Sequence, residues 1–196
     1  MSINVPVSAI ILAAGESKRM GIPKQLMPIG GTTMLGKVLD ALLCSQAEEI
    51  IVVVGHKAEE VVKTISGKPV KVAFNRYYEQ GMSTSIISGL NLVDKRAQAV
   101  MIALADQPLI SNRIIDKLLE EFRKQDKGIV MPIYRGRRGH PVIFSLKYKN
   151  ELLKLKGDVG GRQLIDRHLD DVFEVLVDSE YVNIDVDTLD DYAQLA

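Results

Sequence analysis

A single cysteine, Cys44, among 196 residues rules out an internal disulfide and a thiolate-rich metal site. It follows the apolar helical pattern of Met34 to Leu43, which predicts a buried thiol with a packing role. Net charge is absent as well. The 25 Lys and Arg balance 25 Asp and Glu, so no overall field draws the chain to nucleic acid or to a membrane surface. Any anion binding must come from local clusters. No apolar run is long enough to span a bilayer, and Met1 to Ser8 carry neither a basic n-region nor an apolar core. The expectation is a cytoplasmic protein. Tryptophan is missing, aromatic residues make up only 5%, and no repeat or linker of disordered composition interrupts the chain. With 46% hydrophobic and 26% charged residues the composition is that of a globular protein, and the length suits one domain over residues 1–196.

The informative residues begin near the N-terminus, in Ala9-Ile10-Ile11-Leu12-Ala13-Ala14-Gly15-Glu16-Ser17-Lys18-Arg19-Met20-Gly21-Ile22-Pro23-Lys24. Ile10 to Leu12 form an apolar, β-branched run that suits a buried strand. Ala13, Ala14 and Gly15 then allow a ligand to lie against bare backbone. Amides freed at such a strand end, with Lys18, Arg19 and Lys24 nearby, suit a polyphosphate. Two familiar phosphate loops are excluded by counting. A P-loop has four residues between its glycines and then Lys-Ser or Lys-Thr, whereas five separate Gly15 from Gly21 and Ile22-Pro23 follows. The dinucleotide fingerprint needs Gly-x-Gly, and Gly15-Glu16-Ser17 lacks the second glycine.

Strand and helix patterns alternate along the rest. Helices are predicted over Thr33 to Ser45, Ala58 to Ile65, Met82 to Val93, Ser111 to Lys124, Leu146 to Leu155, Gly160 to His168 and from Thr188 onward. Strands are predicted over Glu49 to Val54, Val70 to Phe74, Ala99 to Ala105, Ile129 to Tyr134, Pro141 to Phe144 and Val172 to Val177. The alternation implies an α/β fold: a mainly parallel, Rossmann-like sheet covered by helices on both faces. Ligands in such folds gather at the carboxyl ends of strands. Asp106 ends one apolar strand and lies too far from Ser111 to cap the next helix. A rim carboxylate of this kind, facing a polyphosphate loop, suits Mg²⁺. Asp185 and Asp187 alternate along an extended piece and share a face, which makes either a partner for the metal. Asp185 is favoured because Asp187 can also cap the last helix, where Thr188 and Asp191 have capping-box spacing.

Leu12-Ala13-Ala14-Gly15-Glu16-Ser17-Lys18-Arg19-Met20-Gly21-Ile22-Pro23-Lys24 resembles the signature of nucleotidyltransferases, in particular the branch containing the molybdenum cofactor cytidylyltransferases. Leu104-Ala105-Asp106-Gln107-Pro108-Leu109 resembles that family's metal-binding segment, and Asp185-Val186-Asp187-Thr188-Leu189 its C-terminal acidic motif, with Leu189 in place of the usual proline. The resemblance implies a nucleotide-diphospho-sugar transferase-like fold and transfer of CMP from CTP to a molybdopterin-type cofactor, with Mg²⁺ as cofactor and a molybdoenzyme as client. It implies that Leu12, Ala13, Ala14, Gly15, Ser17, Arg19 and Lys24 bind the nucleotide. Lys24, Arg19 and Asp106 would act on the triphosphate, and Asp106 with Asp185 or Asp187 would hold the metal.

Three further pieces belong to the acceptor side by the same resemblance. Gly81-Met82-Ser83-Thr84-Ser85 opens a helix and offers Ser83 and Ser85; it lacks the second glycine of a nucleophile elbow. None of His56, His140 and His168 stands out as a hydrolytic base. Arg135-Gly136-Arg137-Arg138-Gly139-His140-Pro141 offers Arg138 and His140, and Gly157-Asp158-Val159-Gly160-Gly161-Arg162 offers Arg162, with Asp158 expected to cap the helix that follows. Other readings keep the nucleotidyl chemistry with a different nucleotide or acceptor, or make the chain a non-catalytic cofactor chaperone.

Overall fold

The alternation of side chains along the first strand decides the layering. In β1 (Val7–Ala13), Ala9 and Ile11 face one layer of helices and Ile10 the other, and every residue but Leu12 is buried. A parallel strand covered on both faces reads as an unbroken apolar run for that reason. The protein is described by a computed structural model over residues 5–195. Residues 1–4, part of the stretch read for a leader, and residue 196 lie outside the described residues.

After β1 come a small hairpin, β2 (Pro28–Ile29) and β3 (Thr32–Thr33), then α1 (Met34–Leu43), β4 (Glu49–Val54), α2 (Ala58–Thr64) and β5 (Lys71–Phe74). α3 (Met82–Leu90), β6 (Ala99–Leu104), α4 (Asn112–Lys124) and β7 (Ile129–Tyr134) follow. The chain closes with β8 (Arg137–Arg138), β9 (Val142–Ser145), α5 (Lys149–Leu152), α6 (Arg162–Arg167), β10 (Val172–Leu176) and α7 (Leu189–Ala193). Several starts are capped as the sequence leads one to expect. Thr33 Oγ1 accepts from the Gly36 N–H, Ser111 Oγ from that of Ile114, and Thr188 and Asp191 form a reciprocal capping box on α7.

Several predicted helices are shorter than their patterns. α3 stops at Leu90, where Asn91 caps it. The stretch from Leu146 opens as a 3-10 turn and is α-helical only over α5. α6 starts at Arg162, because Gly160 and Gly161 are poor helix formers. Cys44 is exposed rather than buried. It caps the C-terminus of α1 two residues past Leu42, about 200° around the axis from it, and so leaves the buried stripe of Leu35, Val38, Leu39 and Leu42.

One sheet of eight strands runs in the order β5-β4-β1-β6-β9-β7-β10, with β8 paired to β7. All pairings are parallel except those of β9 and β8. α1, α2 and α4 cover one face, and α3, α5 and α6 the other. From β1 the chain goes outward to β4 and β5, then returns to the other side of β1 to lay down β6. That reversal splays the connections apart and opens a crevice at the carboxyl ends of β1 and β6. A small cluster of Met20, Met27, Ile29, Met34 and Val186 ties the loop after β1 to the C-terminal segment. No helix among the described residues is long and apolar enough to cross a membrane.

Candidate active site

The crevice is a cleft of about 460 Å³. Leu12, Ala13, Ala14 and Gly15 form its floor. The His56 N–H donates to the Ala14 carbonyl (3.0 Å), and Gly55 passes so close that a Cβ there would lie 2.9 Å from Ala14 Cβ and 2.8 Å from Tyr78 Cβ. Beyond Gly15 the loop is shaped by Ser17, which adopts φ +56°, a left-handed conformation unusual for a non-glycine residue. Its carbonyl accepts from the N–H groups of Met20 (2.9 Å) and Gly21 (3.2 Å), and its Oγ accepts from the Lys24 N–H (2.9 Å). Buried Gln25 donates from Nε2 to the Gly15 carbonyl (3.3 Å) and closes the loop from beneath.

These contacts deliver Lys24 to the centre of the cleft. Its ammonium contacts Asp106 and donates to Asp187 Oδ1 (2.9 Å). Burial pulls the Lys24 ammonium down, but Asp106 and Asp187 more than offset it and hold it above its ordinary value. Arg19 reaches Asp187 Oδ2 at 2.7 Å while staying largely in solvent. For Asp187, burial pushes the carboxyl up, and Lys24 and Arg19 outweigh it, leaving it below the usual range. Asp187 does not cap α7, a role taken by Thr188.

Asp185 behaves differently. Much of its surface faces solvent, yet the cleft walls desolvate its carboxyl and the Asp106 charge adds to this, so it titrates above the usual range. Asp106 keeps Oδ1 buried with no hydrogen-bond partner among the described residues. Burial lowers the nearby His140 imidazole, against the opposing pull of Asp185 and Asp106.

The floor residues, Ser17, Arg19, Lys24, Asp106, Asp185 and Asp187 thus all line one cleft, with Ser85 on the wall made by α3. Arg138, His140 and Arg162 instead rim a second cavity of about 500 Å³, floored by Ile86, Ile102, Met131 and Phe144. Met82 and Leu104 border both cavities, which places the two side by side. Ser83 reaches neither. It is 1% exposed, and its Oγ has no partner among the described residues. Asp158 does not cap α6 as expected. Its Oδ1 accepts from the Met82 N–H (3.2 Å) at the start of α3, because Gly81 and Gly157 stack backbone on backbone, where a Cβ on Gly81 would come within 2.4 Å of Gly157 C. Asp158, Tyr78 and Gln25 are cleft residues that the sequence reading did not assign; the signal it held was a polar Gln25 directly after the signature's Lys24.

Nicotine blue oxidoreductase of Paenarthrobacter nicotinovorans is 27% identical over 96% of each chain. Molybdenum cofactor cytidylyltransferase of Escherichia coli (strain K12) is 26% identical over 95% of this chain and 93% of its own. Among solved structures, Rv0371c from Mycobacterium tuberculosis H37Rv superimposes with a TM-score of 0.89 at 32% identity, covering 97% of each chain. A manganese complex of Rv0371c superimposes at 0.84. The family described as MobA-like NTP transferase domain matches residues 9–172, from β1 and the signature loop to the start of β10. This chain belongs to the MobA-like NTP transferase family.

Proposed function

We propose that the chain, acting as one catalytic domain in the cytoplasm, is a Mg²⁺-dependent cytidylyltransferase that passes CMP from CTP to the terminal phosphate of a molybdopterin-type cofactor. The observation that carries this reading is the Lys24 ammonium held between Asp106 and Asp187, at the end of a floor built from Leu12 to Gly15. An acceptor phosphate oxygen bonds to the α-phosphorus of CTP in line, the α-phosphorus–oxygen bond to pyrophosphate breaks, and no covalent enzyme intermediate is required. The work of the protein is positioning and charge neutralisation. Lys24 and the solvent-facing Arg19 meet the triphosphate and then the departing pyrophosphate. The second cavity, with an apolar floor and Arg162 and His140 at its rim, suits a flat body with an anionic tail; Arg138 is shared there with Asp166 and Glu174, and Ser85 lines the adjoining nucleotide cleft.

The carboxylates fit a hard divalent cation. Among the described residues no three His, Cys, Asp or Glu side chains form a preassembled cage. Mg²⁺ needs only one or two carboxylates together with phosphate oxygens, and the unpartnered Asp106 Oδ1 is such a donor. Asp106 with Asp185 or Asp187 would hold it. When bound it would neutralise charge on the phosphate oxygens. The cytidylylated product would then pass to a molybdoenzyme client.

The choice of base rests on Ala14. It lines the cleft, is 3% exposed, and packs beside Gly55, where any side chain would collide with its methyl. A two-ring purine must overpack that position, at about 1–3 kcal/mol or roughly five- to 150-fold in affinity. CTP is expected to outcompete GTP, and Ala14→Gly to narrow the gap without inverting it. Pyrophosphate release from CTP or GTP, Mg²⁺ and pterin cofactor is the test. Equal use of GTP by the unmodified protein would turn the assignment to guanylyl transfer, and no release with either nucleotide would make the chain a carrier.

A further inference from the structure

A glutamine that is only 2% exposed must place its amide hydrogens on acceptors. Gln107 Nε2 donates to Asp185 Oδ1 at 2.7 Å and to the Val182 carbonyl at 3.3 Å. One residue earlier, the Asp106 carbonyl accepts from the Val186 N–H at 2.9 Å. Two consecutive residues of the turn after β6 therefore grip residues 182–186 at three points. The Val182 carbonyl also accepts from the His140 N–H (2.9 Å), so the grip extends to the edge of the second cavity.

Asp185 depends on this grip in a way that Asp187 does not. Asp187 is held by two cations, Lys24 and Arg19. Among the described residues the Asp185 carboxylate makes no ion pair, and its hydrogen bond to Gln107 is its one side-chain contact of that kind. A carboxylate that faces another carboxylate without a cation gains by rotating into solvent, and a neutral donor rooted in the core opposes that rotation.

Resting on the nucleotidyl-transfer reading above, we infer that Gln107 is a positioning residue: its amide holds the Asp185 carboxylate in the cleft beside Asp106, so that both face a divalent cation together. Donors to a ligating carboxylate typically contribute ten- to a hundredfold to metal affinity. Gln107 does this without adding charge.

The probe is Mn²⁺, with the free ion counted by electron paramagnetic resonance in the presence of protein and CTP and referenced to CTP alone, which itself binds the ion. Gln107→Met keeps the volume of the side chain and removes both donors. It is expected to weaken Mn²⁺ binding roughly tenfold, with CTP affinity measured without metal unchanged. Asp185→Asn is expected to weaken Mn²⁺ binding as well, and the double variant to bind no more weakly than Asp185→Asn alone, because Gln107 acts through Asp185. If Gln107→Met does not fold, Gln107→Asn, which retains a buried amide one methylene short of Asp185, carries the same expectation. Unchanged Mn²⁺ affinity in the Gln107 variant, or additive losses in the double variant, would overturn the positioning role while leaving the metal reading in place. An unmodified protein that binds no Mn²⁺ with CTP would overturn both.

Discussion

At the N-terminal end of β4, Glu49 Oε2 accepts from Ser8 Oγ (2.7 Å) and from the Asp94 N–H (3.1 Å), and Oε1 contacts Lys71. At the opposite end of the same sheet, Lys24, Arg19, Asp106, Asp185 and Asp187 also assemble charges of both signs. The first cluster is closed, with both carboxylate oxygens in use. The second is open: Asp106 Oδ1 has no partner among the described residues, and Asp185 sits beside Asp106 without a cation. The depression at the closed end is the larger, about 710 Å³ against 460 Å³. On the proposed reading, size therefore does not mark the functional end of this molecule. Unfinished electrostatics does, because a satisfied network has nothing left to offer a ligand.

The sharpest way to break that comparison is to remove one charge from each end. Asp106→Asn keeps the shape of the open cluster and removes its unpartnered anionic oxygen. Turnover, read as pyrophosphate release, is expected to fall roughly a hundredfold or more with the fold intact, the usual scale for a lost electrostatic group in an active site. Near-normal turnover at saturating Mg²⁺ would remove Asp106 from the mechanism. Lys24→Ala should raise the KM for CTP and lower kcat together, since charge on the leaving oxygens grows toward the transition state. A change in KM alone would reduce Lys24 to an anchor.

Glu49→Gln is the matching change at the closed end, and its expected signature is reversed. Activity should stay unchanged while stability falls by about 1–2 kcal/mol, as for a partly buried charge network losing its centre. Burial raises the Glu49 carboxyl, but Lys71, Ser8 and the Asp94 N–H more than offset it, so the folded group titrates below its ordinary 4.5. The ionised form favours the fold. Its contribution is present above the ordinary glutamate value and is lost as pH falls through the lower, folded one. Melting temperature followed downward from pH 5 should drop less steeply for Glu49→Gln than for the unmodified protein. Parallel curves would show that the cluster does not carry the pH dependence.

The open end was the more legible of the two in the sequence, because loop and strand-end residues are read from spacing. The run from Leu12 to Lys24, the rim position of Asp106 and the Asp185–Asp187 alternation all place residues in the cleft where local pattern puts them. Thr188 and Asp191 showed their capping box for the same reason. Features that depend on a remote partner were not legible. Nothing local says that Asp158 caps α3 instead of α6, since that follows from the Gly81–Gly157 backbone contact. Nothing local says that Gln107 bonds Asp185 across 78 positions, or that β9 inserts antiparallel between β6 and β7. Cys44 misled because an apolar stripe was extended past the end of its helix.

The smallest expected effect is also the one that tests the idea of unfinished electrostatics most directly. If the open cluster is strained in the absence of ligand, neutralising the member without a cation should stabilise the free protein. Asp185 is that member. Loss of solvent and the neighbouring Asp106 both work against its charge, and only Gln107 and His140 lie on the favourable side. Asp185→Asn removes the like-charge contact, and the Asn carbonyl can still accept from Gln107 Nε2, so the grip on residues 182–186 survives. The gain is bounded at about 1 kcal/mol by the solvent that still reaches the site, or a rise of about 2–4 °C in melting temperature for a chain of this size. Asp187→Asn should move the other way, because it strips a partner from both Lys24 and Arg19. A fall in melting temperature for Asp185→Asn, measured near neutral pH without metal or nucleotide, would mean that Asp185 is already balanced in the free protein. The open end would then differ from the closed one in which ligands it can meet, rather than in the strain it holds.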